Sequence, residues 1–158
     1  RALSDAILVG RRTAALDNPS LTTRLWPGKS PLRLVIDRDG TLDKELKLFD
    51  GTAKTTVFTE VFRDLSHTEN VEQVKIDFSQ DILPQMMNYL YMQKVQRLLV
   101  EGGAMLLQSF IDSGLWDEAF VEEAPFGLGG GVKAPHIKDE YKKEKTERFG
   151  HQIKHFLH

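Results

Sequence analysis

Apolar residues in this chain come in short uninterrupted runs separated by stretches with a helical period, the pattern of buried strands alternating with helices. Ala6-Ile7-Leu8-Val9, closed by Gly10, predicts one buried strand. Leu32-Arg33-Leu34-Val35-Ile36, ended by Asp37-Arg38-Asp39-Gly40, predicts a second. Residues 54–59, rich in β-branched side chains, predict a third, and residues 71–78, with a less regular alternation, a fourth. Over residues 81–92, Ile82, Met86, Met87, Leu90 and Tyr91 recur at helical spacing. Ser79 or Gln80 opens this helix, and Pro84 falls in its first turn, where a missing N–H costs nothing. Leu98-Leu99-Val100 is a further strand, which Gly102-Gly103 turns into a helix reaching about Ser113, with Gly114 as its C-cap. Residues 118–124 return as a strand, residues 125–131 form a glycine-rich loop, and residues 145–149 and 152–157 form an antiparallel hairpin around Gly150-His151. The order predicts a three-layer α/β/α fold with a mostly parallel central sheet and an antiparallel C-terminal edge. Arg1-Ala2-Leu3-Ser4 reads as the end of a helix already under way.

Composition narrows the class without naming it. A chain of 158 residues, 41% hydrophobic and 28% charged, fits one globular domain with a sizeable core, and no linker divides it. No apolar run approaches the roughly 18 residues that span a bilayer, and no signal-peptide pattern opens the chain. Cysteine is absent, which excludes disulfides and thiolate chemistry and is compatible with a cytoplasmic location. A net charge of −2 provides no broad basic field, so neither nucleic acid nor a membrane is an expected partner.

The chemistry concentrates where strands end. At Glu101-Gly102-Gly103 a strand feeds a helix through two glycines, which exposes backbone N–H groups to an anion and lets a phosphate approach closely. Glu101 adds an acid where open α/β sheets place their ligands. Gly10-Arg11-Arg12-Thr13 and Asp37-Arg38-Asp39-Gly40 are two more strand-end loops, with Arg11, Arg12 and Arg38 able to hold a phosphate. Each loop alone reads more readily as an ordinary turn with solvated arginines; together they suggest a nucleotide site. Asp17-Asn18-Pro19-Ser20-Leu21-Thr22-Thr23-Arg24 is a rigid loop from which Asp17 and Arg24 project, or one braced by its own Asx-type bonds.

Other signals are weaker. There is no GxGxxG fingerprint, no GxxxxGK[ST] loop and no G-x-S-x-G elbow. Gly127-Leu128-Gly129-Gly130-Gly131 has no helix-forming run after it and reads as a turn. His151 and His155 have metal-compatible spacing but no third ligand, so no metal is expected. Glu122 and Glu123 point to opposite faces of a strand, and Lys142 to Lys145 with Glu147 is a solvated, mixed-charge face.

Several blocks in order resemble a known family: Asp5-Ala6-Ile7-Leu8-Val9-Gly10, Thr13, residues 17–24, Pro31 to Asp37, Val100-Glu101-Gly102-Gly103, Leu115-Trp116-Asp117-Glu118 and the loop from Pro125 to Gly129. Together they resemble the reductase domain of the bifunctional riboflavin-biosynthesis deaminase/reductase, a dihydrofolate-reductase-like fold, over roughly Asp5 to Gly131. The resemblance implies NADPH-dependent reduction of 5-amino-6-(5-phosphoribosylamino)uracil to 5-amino-6-(5-phosphoribitylamino)uracil. The nicotinamide delivers hydride to C1′ of the opened ribose, and the protein aligns donor and acceptor.

Carried over by position, Thr13 and Asp17 contact the cofactor, and Gly102 and Gly103 receive its pyrophosphate with the helix start that follows. Leu21, Arg24 and Glu101 contact the substrate, Arg24 at its phosphate, with Glu101 also the catalytic candidate. Gly10-Arg11-Arg12-Thr13 is also similar to the Gly-Arg-x-Thr element of dihydrofolate reductases, which adds Arg11 as a cofactor contact. Arg38 stands where the family often has a small hydroxyl residue, and an arginine there suits the adenosine 2′-phosphate. The resemblance further implies a homodimer, a zinc deaminase domain upstream, and an N-terminal strand and part of the first helix of the reductase domain that lie outside these 158 residues. The alternatives are another dihydrofolate-reductase-like pyrimidine or folate reductase, and a truncated, inactive nucleotide-binding module.

Overall fold

In the computed structural model, which describes residues 1–66, 68–127, 129–138 and 140–158, the apolar runs do become strands. β1 (Ala6–Val9), β2 (Leu32–Ile36), β3 (Thr55–Thr59), β4 (Val71–Lys75) and β5 (Leu98–Val100) form a five-stranded sheet in the order β4-β3-β2-β1-β5, with every neighbouring pair parallel. All four residues of β1 are buried, as a central parallel strand covered on both faces requires. β4 ends three residues before the predicted Phe78 because Asp77 turns the chain, accepting hydrogen bonds from Ser79 N and Ser79 Oγ at 2.9 and 2.6 Å.

The two faces of the sheet carry different layers. One face presents Ile7, Val9, Val35 and Val57 to Ala14 of α1 (Arg11–Asp17) and to Leu21, Leu42, Leu46, Leu48, Phe49 and Leu65. Lys47–Phe49 is a single 3-10 turn in this layer that hydrophobic periodicity did not predict. The other face presents Phe58, whose ring meets Tyr89 of α2 (Ile82–Met92) edge-on at 5.5 Å. Asp81 caps α2 by accepting from Leu83 N at 3.0 Å, one residue beyond the predicted Ser79 or Gln80. Arg1 to Ser4, expected as the end of a helix, is a turn closed by Ser4 N donating to Arg1 O at 3.0 Å.

The chain forms two compact units, Arg1–Gly103 and Ala104–His158. The second holds α3 (Ala104–Asp112), β6 (Glu118–Glu123), β7 (Lys142–Arg148) and β8 (His151–Leu157). Gly114, at φ +67°, ends α3 as predicted, with Leu115 N donating back to Phe110 O at 3.1 Å. The antiparallel C-terminal strands form a three-stranded sheet of their own, in the order β6-β8-β7. β7 begins at Lys142 rather than at residue 145 and is an edge strand paired along β8, with Glu144, Lys145 and Glu147 exposed as the solvated reading expects. Leu128 of the glycine-rich loop lies outside the described residues. Among the described residues no helix is long and apolar enough to cross a membrane.

Candidate functional site

From β1 the chain builds the sheet outward through β2, β3 and β4, then returns to place β5 on the opposite side of β1. The strand order therefore reverses between β1 and β5, and their carboxyl ends border a crevice of the kind that receives ligands in open α/β sheets. The residues leaving β1 are Gly10, Arg11, Arg12 and Thr13; those leaving β5 are Glu101, Gly102 and Gly103. Two of the three predicted loops thus meet at one place. A recess of about 430 Å³ lined by Phe49, Asp50, Gly51, Thr52, Thr68 and Glu69 lies just before β3 and β4 begin, at the opposite edge of the sheet.

Contact across the crevice is intimate. Glu101 N donates to Leu8 O at 2.9 Å and continues the β1–β5 pairing to the carboxyl edge. Gly102 and Gly103 then adopt φ of +76° and +84°, the left-handed region that side chains disfavour. A Cβ on Gly102 would stand 2.9 Å from Thr13 Cγ2 and 3.3 Å from Thr13 Oγ1. Only glycine lets the β5 loop close on the first turn of α1. At the N-cap of α1, Gly10 supplies no side chain to its free N–H groups. Glycine backbone, uncapped amides and the Thr13 hydroxyl together fit a dinucleotide's pyrophosphate.

Glu101 has a partner that sequence patterning missed. Arg1 grips it bidentately, Nε to Oε1 at 3.0 Å and Nη2 to Oε2 at 2.6 Å. This bonding to Glu101 is the main reason the Arg1 guanidinium is held above its ordinary pKa. Arg1 Nη1 also donates to Thr22 O at 3.5 Å, so one guanidinium joins the β5 carboxylate to the loop that carries Leu21 and Arg24. No local pattern announces such a pair, because Arg1 and Glu101 are 100 residues apart.

That loop is braced from outside. Asn18, at φ +42°, ends α1 in the left-handed conformation, and its Oδ1 accepts from Lys47 N at 2.8 Å. Asp17 is the last residue of α1 and is exposed. Leu21, also left-handed at φ +52°, sends its side chain into the core, 1% exposed, so what it offers a ligand is main chain. Arg24 is exposed. Beneath the loop, the fully buried Arg33 donates to Ser20 O, Lys47 O, Ala53 O, Thr55 Oγ1 and Asp50 Oδ1 at 2.7–3.3 Å.

Two of the arginines at the carboxyl edge, Arg11 and Arg38, are engaged by acceptors of the protein itself. Arg11 Nη2 donates to Thr41 Oγ1 at 2.9 Å, and its Nε lies 3.4 Å from the buried Asp37 carboxylate. Asp37 in turn accepts from Thr41 N and Leu42 N at 3.2 and 2.9 Å. Arg12 is exposed. Arg38 Nε donates to Glu60 Oε2 at 2.8 Å, with Asp39 4.0 Å away and the Phe78 ring 5.7 Å beneath the guanidinium.

In the second unit, His151 and His155 pair with Glu122 and Glu118 at 2.6 and 3.1 Å, and among the described residues no cluster could hold a metal ion. Glu123 bonds Lys154, on the face of the sheet opposite the Glu122–His151 pair.

Comparison with known proteins gives this site a context. The family model described as RibD C-terminal domain matches residues 1–154. The riboflavin biosynthesis protein RibD of Bacillus amyloliquefaciens is 32% identical over 141 residues, covering 85% of this chain and 38% of that protein. The 2,5-diamino-6-ribosylamino-4(3H)-pyrimidinone 5′-phosphate reductase of Archaeoglobus fulgidus is 30% identical over 170 residues, covering 95% of this chain and 77% of that protein. The crystal structure of a Thermotoga maritima diaminohydroxyphosphoribosylaminopyrimidine deaminase/5-amino-6-(5-phosphoribosylamino)uracil reductase superposes with a TM-score of 0.81 at 27% identity, covering 99% of this chain and 46% of that one. The chain therefore spans about two fifths of the length of the RibD proteins it matches.

Proposed function

This chain belongs to the RibD C-terminal domain family, and from that premise we propose that it carries the NADPH-dependent reduction of 5-amino-6-(5-phosphoribosylamino)uracil to the ribitylamino product. The observation that carries the reading is the β1–β5 crevice, where a fixed carboxylate, Glu101, adjoins a glycine turn closed on Thr13. It offers an anion-receptive backbone and an acid within one residue of each other. That is what bringing a dinucleotide and a polar heterocycle together demands.

In this reading Gly102, Gly103 and Thr13 hold the cofactor pyrophosphate, Arg11 and Asp17 flank it, and Arg38 reaches toward the adenosine 2′-phosphate. A bound nicotinamide supplies a hydride to C1′ of the ring-opened ribose. The chain's own task is orientation. Glu101, its carboxylate fixed by Arg1, accepts hydrogen bonds from the pyrimidine. Arg24 pairs with the substrate phosphate, and Leu21 contributes its main chain. Fixing both reactants removes the entropic cost of their encounter, and Glu101 is the catalytic residue in that positioning sense. The reading includes a homodimer, a deaminase domain upstream in the full-length protein, and a cytoplasmic location.

A second reading is favoured by the Archaeoglobus fulgidus relative, whose name specifies the diaminopyrimidinone, the form before deamination. An NADPH-oxidation assay of the full-length protein with each phosphoribosylaminopyrimidine decides between them. Faster turnover of the uracil supports the first reading, and faster turnover of the diaminopyrimidinone the second. Coenzyme binding without turnover of either indicates a nucleotide-binding module.

A further inference from the structure

We propose that Glu60 sets this chain's choice between nicotinamide dinucleotides by competing with the coenzyme's 2′-end for Arg38. The inference rests on the reading of Arg38 as a cofactor contact. It concerns a residue that neither the sequence patterns nor the resemblance singled out.

Arg38 follows β2, Glu60 follows β3 and Phe78 follows β4, so all three stand at consecutive carboxyl ends of the sheet. β3 lies two strand spacings from β1, about 10 Å along the edge from the β1–β5 crevice. A dinucleotide with its pyrophosphate on Gly102 and its adenosine directed along this edge would bring its ribose to that trio. The main chain fixes the pair together. Glu60 N and Val61 N both donate to Arg38 O, at 2.9 and 3.3 Å, and Thr59 Oγ1 donates to the same carbonyl at 3.0 Å. Gly40, at φ +64°, lets the β2 loop lie flat against Val61, whose carbonyl would be 2.9 Å from a Cβ there. Backbones this close put the two side chains within reach of each other, and they meet in an Nε–Oε2 bond of 2.8 Å.

The electrostatics follow from the roster. One guanidinium faces two carboxylates, Glu60 at 2.8 Å and Asp39 at 4.0 Å, which leaves a local sum of one negative charge. An arginine at the ribose favours a 2′-phosphate, whereas an acid accepts a hydrogen bond from a free 2′-hydroxyl and repels the phosphate. Here both groups are bonded to each other. A 2′-phosphate must share or displace Glu60 to reach Arg38, while a 2′-hydroxyl finds Glu60 already in place. The pair therefore narrows the margin by which Arg38 favours the 2′-phosphate of NADPH, without removing it.

Equilibrium binding of NADP⁺ and NAD⁺ by calorimetry tests this without turnover, on the wild-type chain and on the variants E60Q, E60D and R38A. Removing the charge in E60Q is expected to tighten NADP⁺ and weaken NAD⁺, moving the ratio of their Kd values roughly 1.5- to fivefold, the range of an exposed ion pair. E60D, which keeps the charge, should hold the wild-type ratio, and R38A should weaken NADP⁺ alone. An E60Q ratio equal to wild type while R38A still weakens NADP⁺ selectively overturns the role of Glu60 and leaves the reading of Arg38 standing. Equal effects of R38A on both coenzymes overturn that placement, and the inference with it. Failure of the wild-type chain to bind either coenzyme overturns both the inference and the proposed function.

Discussion

Arg1 and Glu101 share two hydrogen bonds, from Nε at 3.0 Å and Nη2 at 2.6 Å, and this fork fixes the plane of the carboxylate at the carboxyl end of β5. Glu101→Gln keeps the shape, loses the charge and can accept only one of the two bonds. Charge-assisted bonds of this kind contribute about 1.5–3 kcal/mol, so kcat/KM should fall roughly ten- to a hundredfold. On the proposed placement, coenzyme affinity rests on the neighbouring glycines and Thr13 and should change little. Steady-state kinetics paired with coenzyme titration separates the two, and unchanged turnover would remove Glu101 from the substrate site.

Gly102→Ala should be damaging for two separable reasons. It forces a side chain into φ +76° and drives a Cβ to 2.9 Å from Thr13 Cγ2. The backbone strain alone costs about 1–3 kcal/mol. Thr13→Ser deletes the offending methyl and keeps the hydroxyl, so the double variant should recover the steric part of the loss but not the conformational part. Denaturant midpoints of the two singles and the double form the cycle that checks this.

Arg33→Met leaves the Ser20, Lys47 and Ala53 carbonyls and the Asp50 carboxylate without the donor that now serves them. Asp50 is exposed and keeps its bonds from Thr52, so the loss falls on the carbonyls left unsatisfied, about 1–3 kcal/mol for a buried acceptor, and urea unfolding should show a loss of that order. Since Ser20 sits within the Asp17–Arg24 loop, substrate KM should rise as well at temperatures where the variant stays folded.

Acid should destabilise the first unit through identifiable aspartates. Asp5 is held below the usual carboxylate range by hydrogen bonds from Arg97 N and Gln96 N, at 2.8 and 2.9 Å. For Asp50, burial pushes the pKa up, but bonds from Thr52 and the pairing with Arg33 outweigh it and the net shift is down. A depressed folded-state pKa gives stability that is fully present above the unfolded value, about 3.9, and is lost as pH falls through the folded value. Unfolding free energy measured between pH 6 and 2.5, working values chosen to bracket that pKa, should therefore decline on the acid side. Asp5→Asn should flatten the decline.

Legibility followed the range of the forces involved. The strand Leu98–Val100 was readable to the residue because burial and the Gly-Gly turn are both local signals. The α2 cap moved only from Ser79 or Gln80 to Asp81. Charge reported exposure but not pairing: Glu144 and Lys145 are exposed as expected, yet the start of their strand depends on β8, which no local pattern contains. The Lys47–Phe49 turn is too short to show a period. At the site, the meeting of Thr13 with Gly102 was implied by parallel strand ends, whereas Arg1, Glu60 and the inward side chain of Leu21 depend on contacts that no window of sequence contains.

The β1–β5 pairing has a kinetic consequence. It is fastened at its start by Asp5 and Arg97, 92 residues apart, whereas β1, β2 and β3 can pair across far shorter stretches of chain. Closing the longest loop is the most demanding entropic step, so β5 docks after the rest of the sheet has begun to form. A chain still completing that step has no β1–β5 crevice. On the proposed placement of the coenzyme, ligand binds only after docking and acts as a latch on the final step, slowing the release of β5 and thereby the unfolding of the whole unit.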